Sequence, residues 1–206
     1  MKKIFGLTIA ALLVIGMVSG GTWAYFSDTE SSANNSLTAG TLDLNINGGN
    51  IAVTTFTAAA VAPGDSGSGN STIANVGTMG GELDITFSAI TNTGGVGGEY
   101  GDSVGNLGAA AEIAAYVDVD QSADWSAGDI GLKSDGTTYS FPTALDYATI
   151  DSYDSNSYDA VVAAMATSAA DGFVVLWSVP TTAGNNIQGD SASFDITFVL
   201  EQDAVD

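Results

Sequence analysis

Cysteine and histidine are both missing from this 206-residue chain. Without cysteine there is no disulfide framework, no thiolate metal centre and no thiol nucleophile. Without histidine the commonest general base and the commonest zinc ligand are gone, so neither a Ser-His-Asp triad nor an H-E-x-x-H zinc site can be assembled from these residues. Arginine is absent too: the three basic residues are Lys2, Lys3 and Lys133, set against 24 acidic ones. The bidentate clamp for phosphate or carboxylate substrates is therefore lacking. So strong a negative field repels nucleic acid and anionic lipid headgroups and attracts hard cations such as calcium or magnesium. Carboxylate pairs such as Asp118 with Asp120 or Asp151 with Asp154 imitate a glycosidase dyad, but in so acidic a chain such pairs arise by chance. These exclusions favour a protein that is not an enzyme.

What is present begins with a leader. Met1-Lys2-Lys3 is a short positive start, Ile4 to Val18 is apolar, and Ser19-Gly20-Gly21 supplies small residues ahead of Thr22-Trp23-Ala24. That order describes a secretory signal peptide, residues 1–24, cut between Ala24 and Tyr25. The apolar run is shorter than the roughly 20 residues a membrane span needs. The expected destination is outside the cell, in an extracellular matrix or at the cell surface, with membrane contact only through the transient leader. Residues 25–206 then form one domain.

Within that domain, apolar residues alternate with polar ones, which is the period of a strand with one dry and one wet face. Leu42, Leu44 and Ile46 form one such face; Leu83, Ile85, Phe87 and Ala89 a second; Ile113, Ala115, Val117 and Val119 a third. Ala192, Phe194, Ile196, Phe198 and Leu200 form the clearest. Further strands are expected at 51–57, 71–76 and 172–179, and Asp135-Gly136 reads as a hairpin turn before Tyr139 and Phe141. The spacing of Tyr158, Val161, Val162 and Met165 predicts one short helix over 157–168, capped by Ser157. The fold class is thus all-β: a jelly-roll-like, two-sheet sandwich carrying one short helix and preceded by a signal helix.

Two stretches resemble a known family: Gly20-Gly21-Thr22-Trp23-Ala24-Tyr25-Phe26-Ser27-Asp28, and Asn35-Ser36-Leu37-Thr38-Ala39-Gly40-Thr41-Leu42-Asp43-Leu44. They are similar to the N-terminus of the TasA/camelysin family of biofilm matrix fibre proteins, which includes archaeal bundling-pilus subunits. Val61-Ala62-Pro63-Gly64-Asp65-Ser66 with Ile73-Ala74-Asn75-Val76-Gly77, and Ile187-Gln188-Gly189-Asp190-Ser191 before the last strand, extend the likeness. The resemblance implies a dedicated signal peptidase during export and self-assembly into fibres. It also brings a metallopeptidase label that a chain without histidine fits poorly.

The sequence adds its own candidates. Asp118, Asp120, Ser122, Asp124 and Asp129 place oxygen side chains at positions one, three, five, seven and twelve of a loop, as an EF-hand does for calcium. Ala123 stands where such a loop has its turn glycine, and Asp129 is shorter than the usual closing glutamate. Asn34 and Asn70 open N-x-S/T sequons for glycosylation. Freed by cleavage, Tyr25, Phe26, Ser27 and Asp28 lead a candidate donor strand, residues 25–39, that would complete the sandwich of another copy and propagate a head-to-tail homopolymer. A monomeric calcium-binding adhesin or S-layer-associated module is the alternative.

Overall fold

The structure is a computed structural model that describes Ile9 and residues 39–49, 53–59, 61–95 and 105–202, with the backbone alone for 53–59 and Asn185. The chain divides into Met1–Thr38 and Ala39–Asp206, and every described residue except Ile9 belongs to the second unit. The leader, the Ala24–Tyr25 junction, the donor residues Tyr25 to Asp28 and the sequon at Asn34 all lie outside the described residues. No helix among the described residues is long and apolar enough to cross a membrane.

Among the described residues, eleven strands form two antiparallel sheets. They are β1 (Leu44–Ile46), β2 (Val53–Ala59), β3 (Ser66–Asn75), β4 (Gly81–Thr93), β5 (Glu112–Asp118), β6 (Ile130–Leu132), β7 (Thr138–Ser140), β8 (Ala148–Thr149), β9 (Ser157–Met165), β10 (Ala170–Ser178) and β11 (Ser191–Glu201). The first sheet runs β1-β3-β10-β5-β6-β7 with β8 also on β5; the second runs β2-β11-β4-β9. A four-residue helix, α1 (Leu107–Ala110), precedes β5. The all-β sandwich expected from the alternation is the observed architecture.

The core lies between the inner faces of the two sheets. Leu83, Ile85 and Phe87 of β4, Ile113, Ala115 and Val117 of β5, and Ala192, Phe194, Ile196 and Phe198 of β11 are buried there. Aromatic rings bind the layers: Phe173 meets Phe198 edge-on at 5.1 Å, and Phe87 sits 5.1 Å from Tyr153, 6.0 Å from Tyr158 and 5.9 Å from Phe194. Burying rings of this size supplies much of the driving force for two-sheet packing.

The expected helix at 157–168 is instead the strand β9. Tyr158, Val161 and Met165 are indeed the buried residues, but bulges create their helical spacing. On β4, Leu83 and Ile85 are two residues apart, while their partners Val162 and Tyr158 on β9 are four apart. Ala160 takes φ +49° in the extra stretch, and its N–H donates to Asp84 Oδ1 at 2.8 Å. Each bulge shifts the strand's two-residue phase, so buried positions fall three and four apart. Ser157 caps no helix; its hydroxyl pairs with that of Thr86 at 3.0 Å.

Two alternation readings also end early. Ala89 is exposed because a bulge with φ +53° turns it outward, opposite the register shift between Ser193 and Asp195. Val119 lies just past the end of β5 and is 42% exposed. The Asp135-Gly136 hairpin is present, with Gly136 at φ +82° and Lys133 N–H bonded to Thr137 O at 2.9 Å.

Phe87, touching three rings from both chain directions, is the test of this core. Phe87→Ala should lower unfolding stability by about 3–5 kcal/mol, read as a fall in the urea midpoint at unchanged slope; a loss below about 1 kcal/mol would show that these rings do not carry the packing.

Candidate assembly edge and the acidic loop

β3 begins five residues earlier than the alternation suggested, because Ser66-Gly67-Ser68-Gly69-Asn70 carries no apolar residue to reveal it. On one side β3 is paired along nearly its whole length with β10, from Ser66↔Ser178 to Ala74↔Ala170. On the other side β1 covers only Ile73, Ala74 and Asn75.

The segment around β1 lines the same side further up. Val76 N–H donates to Asp43 O at 2.8 Å, and Thr78 N–H donates to Thr41 O at 2.8 Å. At the lower end Asn47, at φ +52°, closes the ladder. Its N–H donates to Thr72 O at 2.9 Å and its Oδ1 accepts Thr72 N–H at 2.8 Å. Below Thr72, no strand among the described residues pairs with the outer side of Ser66 to Ser71. In an antiparallel strand alternate residues aim their backbone groups to one side, so Asn70, Ser68 and Ser66 continue the set begun by Ala74 and Thr72. That edge asks for a partner.

The outer face beside this edge carries a polar cavity of about 190 Å³. Gly172 and Val174 of β10 lie under it, Asn70 and Thr72 bound it on the β3 side, and Asp118 and Gln121 on the β5 side. Asn70, the described sequon residue, is exposed here.

The acidic loop follows β5 and folds across the outer face of the same sheet. Tyr116, pointing away from the core, is covered by Trp125 at 5.3 Å, and Trp125 lies 5.5 Å from Tyr139 and 6.3 Å from Phe141. Asp118 and Asp129, 2% and 0% exposed, anchor the loop from inside. Asp118 accepts Ser122 N–H (3.2 Å) and Ala123 N–H (2.7 Å); Asp129 accepts Val119 N–H (3.1 Å) and Ser126 N–H (2.7 Å). The exposed Asp120 accepts Ser122 N–H at 3.0 Å and the Ser126 hydroxyl at 3.2 Å.

Of the five residues that suggested a calcium loop, Asp118, Asp120 and Asp129 come together, with carboxylate oxygens within 4.8 Å of one another. Asp124 stands apart from them. Ser122 turns its hydroxyl to Asp124 O at 3.1 Å. A second group, Glu82, Asp84, Asp159 and Glu201, gathers on the second sheet.

The motifs at 61–77 and 187–191 that extended the family resemblance prove to be structural clasps. Fully buried Asn75 donates from Nδ2 to Met79 O (2.8 Å) and Met165 O (3.1 Å), while its Oδ1 accepts Gly77 N–H (3.0 Å). Asp65 accepts Ala62 N–H at 2.8 Å beside Gly64 at φ +95°. Asp190 accepts Gly95 N–H at 2.8 Å and Asn106 N–H at 2.7 Å, after Gly189 at φ +82°. Compared with known proteins, residues 1–205 match the family described as camelysin metallo-endopeptidase. The chain belongs to the TasA/camelysin family. No curated protein matches it.

The camelysin description implies a catalytic metal, and the residues here do not fit one of the zinc-endopeptidase kind. Such sites are built on histidine ligands with a glutamate base, and this chain has no histidine. The gathered donors are carboxylates alone, a set suited to calcium or magnesium.

Burial pushes the Asp118 carboxyl above the usual carboxylate range, with Asp120 and Asp129 adding to the effect, and burial does the same to Asp171, with Asp118 contributing. Tyr116 is pushed up to about 12, first by burial and then by Asp118, Asp129 and Asp124. Conversely, hydrogen bonds from Ser122 hold Asp120 below the usual range, and those from Thr137 do so for Asp135. For the raised pair, stability is fully present below the unfolded value, about 4, and is lost as pH rises through the folded value. For the lowered pair, stability is present above that value and is lost as pH falls through the folded one. Thermal melts should therefore peak near pH 4 and decline toward neutrality, with Asp171→Asn flattening the upper side; a midpoint that climbs steadily from pH 4 to 7 would overturn this assignment.

Proposed function

We propose that the protein is a secreted structural subunit that polymerises into extracellular fibres by donating its N-terminal strand to a neighbouring copy. The observation that carries this reading is an edge left open among the described residues: ten-residue β3 is paired on one side along almost its full length and on the other by three residues of β1. An open edge in an otherwise paired sheet is a template for another strand, and most proteins bulge, shorten or cover theirs. β9, one edge of the second sheet, is protected in that way by two register shifts; among the described residues the Ser66–Asn70 edge is not, and neither is β2, the other edge of that sheet.

The donor is the segment ahead of Ala39. Cleavage between Ala24 and Tyr25 by a dedicated signal peptidase frees an aromatic-tipped, otherwise polar ribbon. Burying two aromatic side chains contributes roughly 3–6 kcal/mol, and each strand hydrogen bond adds about 1 kcal/mol net. Donor and acceptor surfaces differ, so contacts repeat head to tail without closing. The function is architectural and non-enzymatic: with the histidine-free donor set described above, purified protein is not a metal-dependent protease.

Secreted protein beginning at Tyr25 should form filaments in negative stain, and a variant lacking residues 25–36 should stay a soluble, folded monomer. Filaments of normal length from the truncated variant would refute donation. Dispersed particles from the complete mature chain would favour the monomeric surface adhesin instead.

Calcium is the cation we assign to the acidic loop, because three carboxylates converge there and two of them are buried. Binding would offset their mutual repulsion and brace the loop over the outer face. Millimolar calcium should raise the melting temperature by several degrees, and Asp120→Asn should abolish the shift; calorimetry with neither heat nor shift rejects the site.

A further inference from the structure

The polar cavity of about 190 Å³ on the outer face of the first sheet is walled by backbone in an uncommon conformation. Seven non-glycine residues among those described have a positive φ, and three of them line this one cavity: Asn47 at +52°, Gln121 at +56° and Ala123 at +63°. Left-handed backbone is costly for a residue with a Cβ, and neither glutamine nor alanine has the short polar side chain that eases it. Such residues collect where a wall must hold one shape for a ligand.

Contacts between separate segments hold all three in place. The Gln121 side chain donates from Nε2 to Ala170 O at 2.8 Å, strapping the acidic loop to the start of β10. Ala123 N–H donates to Asp118 Oδ2 at 2.7 Å, and its carbonyl accepts the Tyr116 hydroxyl at 3.0 Å. Asn47 donates from Nδ2 to Ser71 Oγ at 3.3 Å and accepts Thr72 N–H at 2.8 Å. Glycine at 172 keeps the floor open, because a Cβ there would stand 3.1 Å from Asp118 Oδ2. The walls are braced, but the rim is not. Asn70 and Thr72 are exposed on the outer face, and among the described residues neither the Asn70 amide nor the Thr72 hydroxyl has a hydrogen-bond partner.

We propose that this cavity binds a neutral sugar ring, with the Asn70 amide and the Thr72 hydroxyl bonding its hydroxyl groups across from the Asp118 carboxylate. The assignment stands apart from polymerisation and does not depend on it. No basic residue lines the cavity, and Asp118 together with the strongly acidic chain repels carboxylate, phosphate and sulfate groups. A hard cation takes six or more oxygen ligands, whereas Asp118 is the one carboxylate in the lining and already accepts two backbone N–H groups. A sugar hydroxyl both donates and accepts, so a ring of them suits a mixed lining of amide, hydroxyl and carboxylate.

Size agrees with this ligand. The cavity has room for roughly six waters at about 30 Å³ each, the space that one six-membered sugar ring displaces. Gly172 and Val174 of β10 lie beneath, where the C–H face of such a ring can rest. A single ring held by two or three hydrogen bonds in an open cavity binds weakly, at about 1–10 mM. Asn70 also opens a sequon, and a glycan attached there would fill the same space, so the test takes protein whose intact mass shows Asn70 unmodified.

Saturation-transfer NMR observes the ligand, so it reads binding to the mature protein whether dispersed or polymerised. With the methyl glycosides of mannose, glucose and galactose as probes, at least one should show saturable transfer, and glucuronate should show none. Asn70→Ala and Thr72→Val each remove a hydrogen-bonding group that has no partner among the described residues, so the melting temperature should stay unchanged. Each should weaken sugar binding about five-fold, the worth of one hydrogen bond. Thr72→Ser keeps the hydroxyl and should bind as the parent does, which separates a lost contact from a disturbed fold. Absence of transfer from all three glycosides well above the expected constant would overturn the assignment. So would binding that Asn70→Ala and Thr72→Val leave unchanged, or equal transfer from glucuronate.

Discussion

Backbone hydrogen-bonding groups in a sheet need partners, and the shape of this molecule depends on where that requirement is met and where it is left open. β3 sits at the point where it changes. Along β10 every residue from Ser66 to Ala74 has a partner, whereas on the opposite side pairing among the described residues stops at Thr72. The stop is built in: Asn47 adopts a positive φ and uses both main chain and side chain to finish the ladder, sending the chain away toward the other sheet. What remains among the described residues is a short edge, Ser66 to Asn70, rich in serine and glycine.

Of the other edges among the described residues, β2 runs in unbroken register along β11, while β9 and β7 depart from that pattern. β9 departs from regular pairing twice, and its extra residues are held by Asp84 on the neighbouring strand. β7 is three residues long and leads into the cis Phe141–Pro142 bond. Bulges, brevity and proline are ordinary defences against unwanted strand pairing.

The acidic loop gives the first sheet a second, outer layer. Buried carboxylates usually destabilise, yet Asp118 and Asp129 take four backbone N–H groups between them, which a loop crossing a sheet must otherwise leave to water. The loop in turn shelters Tyr116 and places Asp118 beside the cavity next to the open edge. The three gathered carboxylates and the Ser66–Asn70 stretch of β3 are thereby neighbours on one face of the first sheet.

Residue order alone was enough for the class of fold, the alternating cores of β4, β5 and β11, the hairpin at Asp135-Gly136 and the family, because each rests on local periodicity or on an ordered string of residues. Spacing likewise brought Asp118, Asp120 and Asp129 to notice. Periodicity misread 157–168, since bulges convert the two-residue period of a strand into helical spacing, and a bulge is fixed by the partner strand. It was blind to Ser66–Asn70, where serine and glycine carry no hydrophobic signal and only pairing with β10 makes a strand. Which side of that strand is paired was equally out of reach, because neighbours are assigned only when distant segments such as β1, β3 and β10 meet in three dimensions.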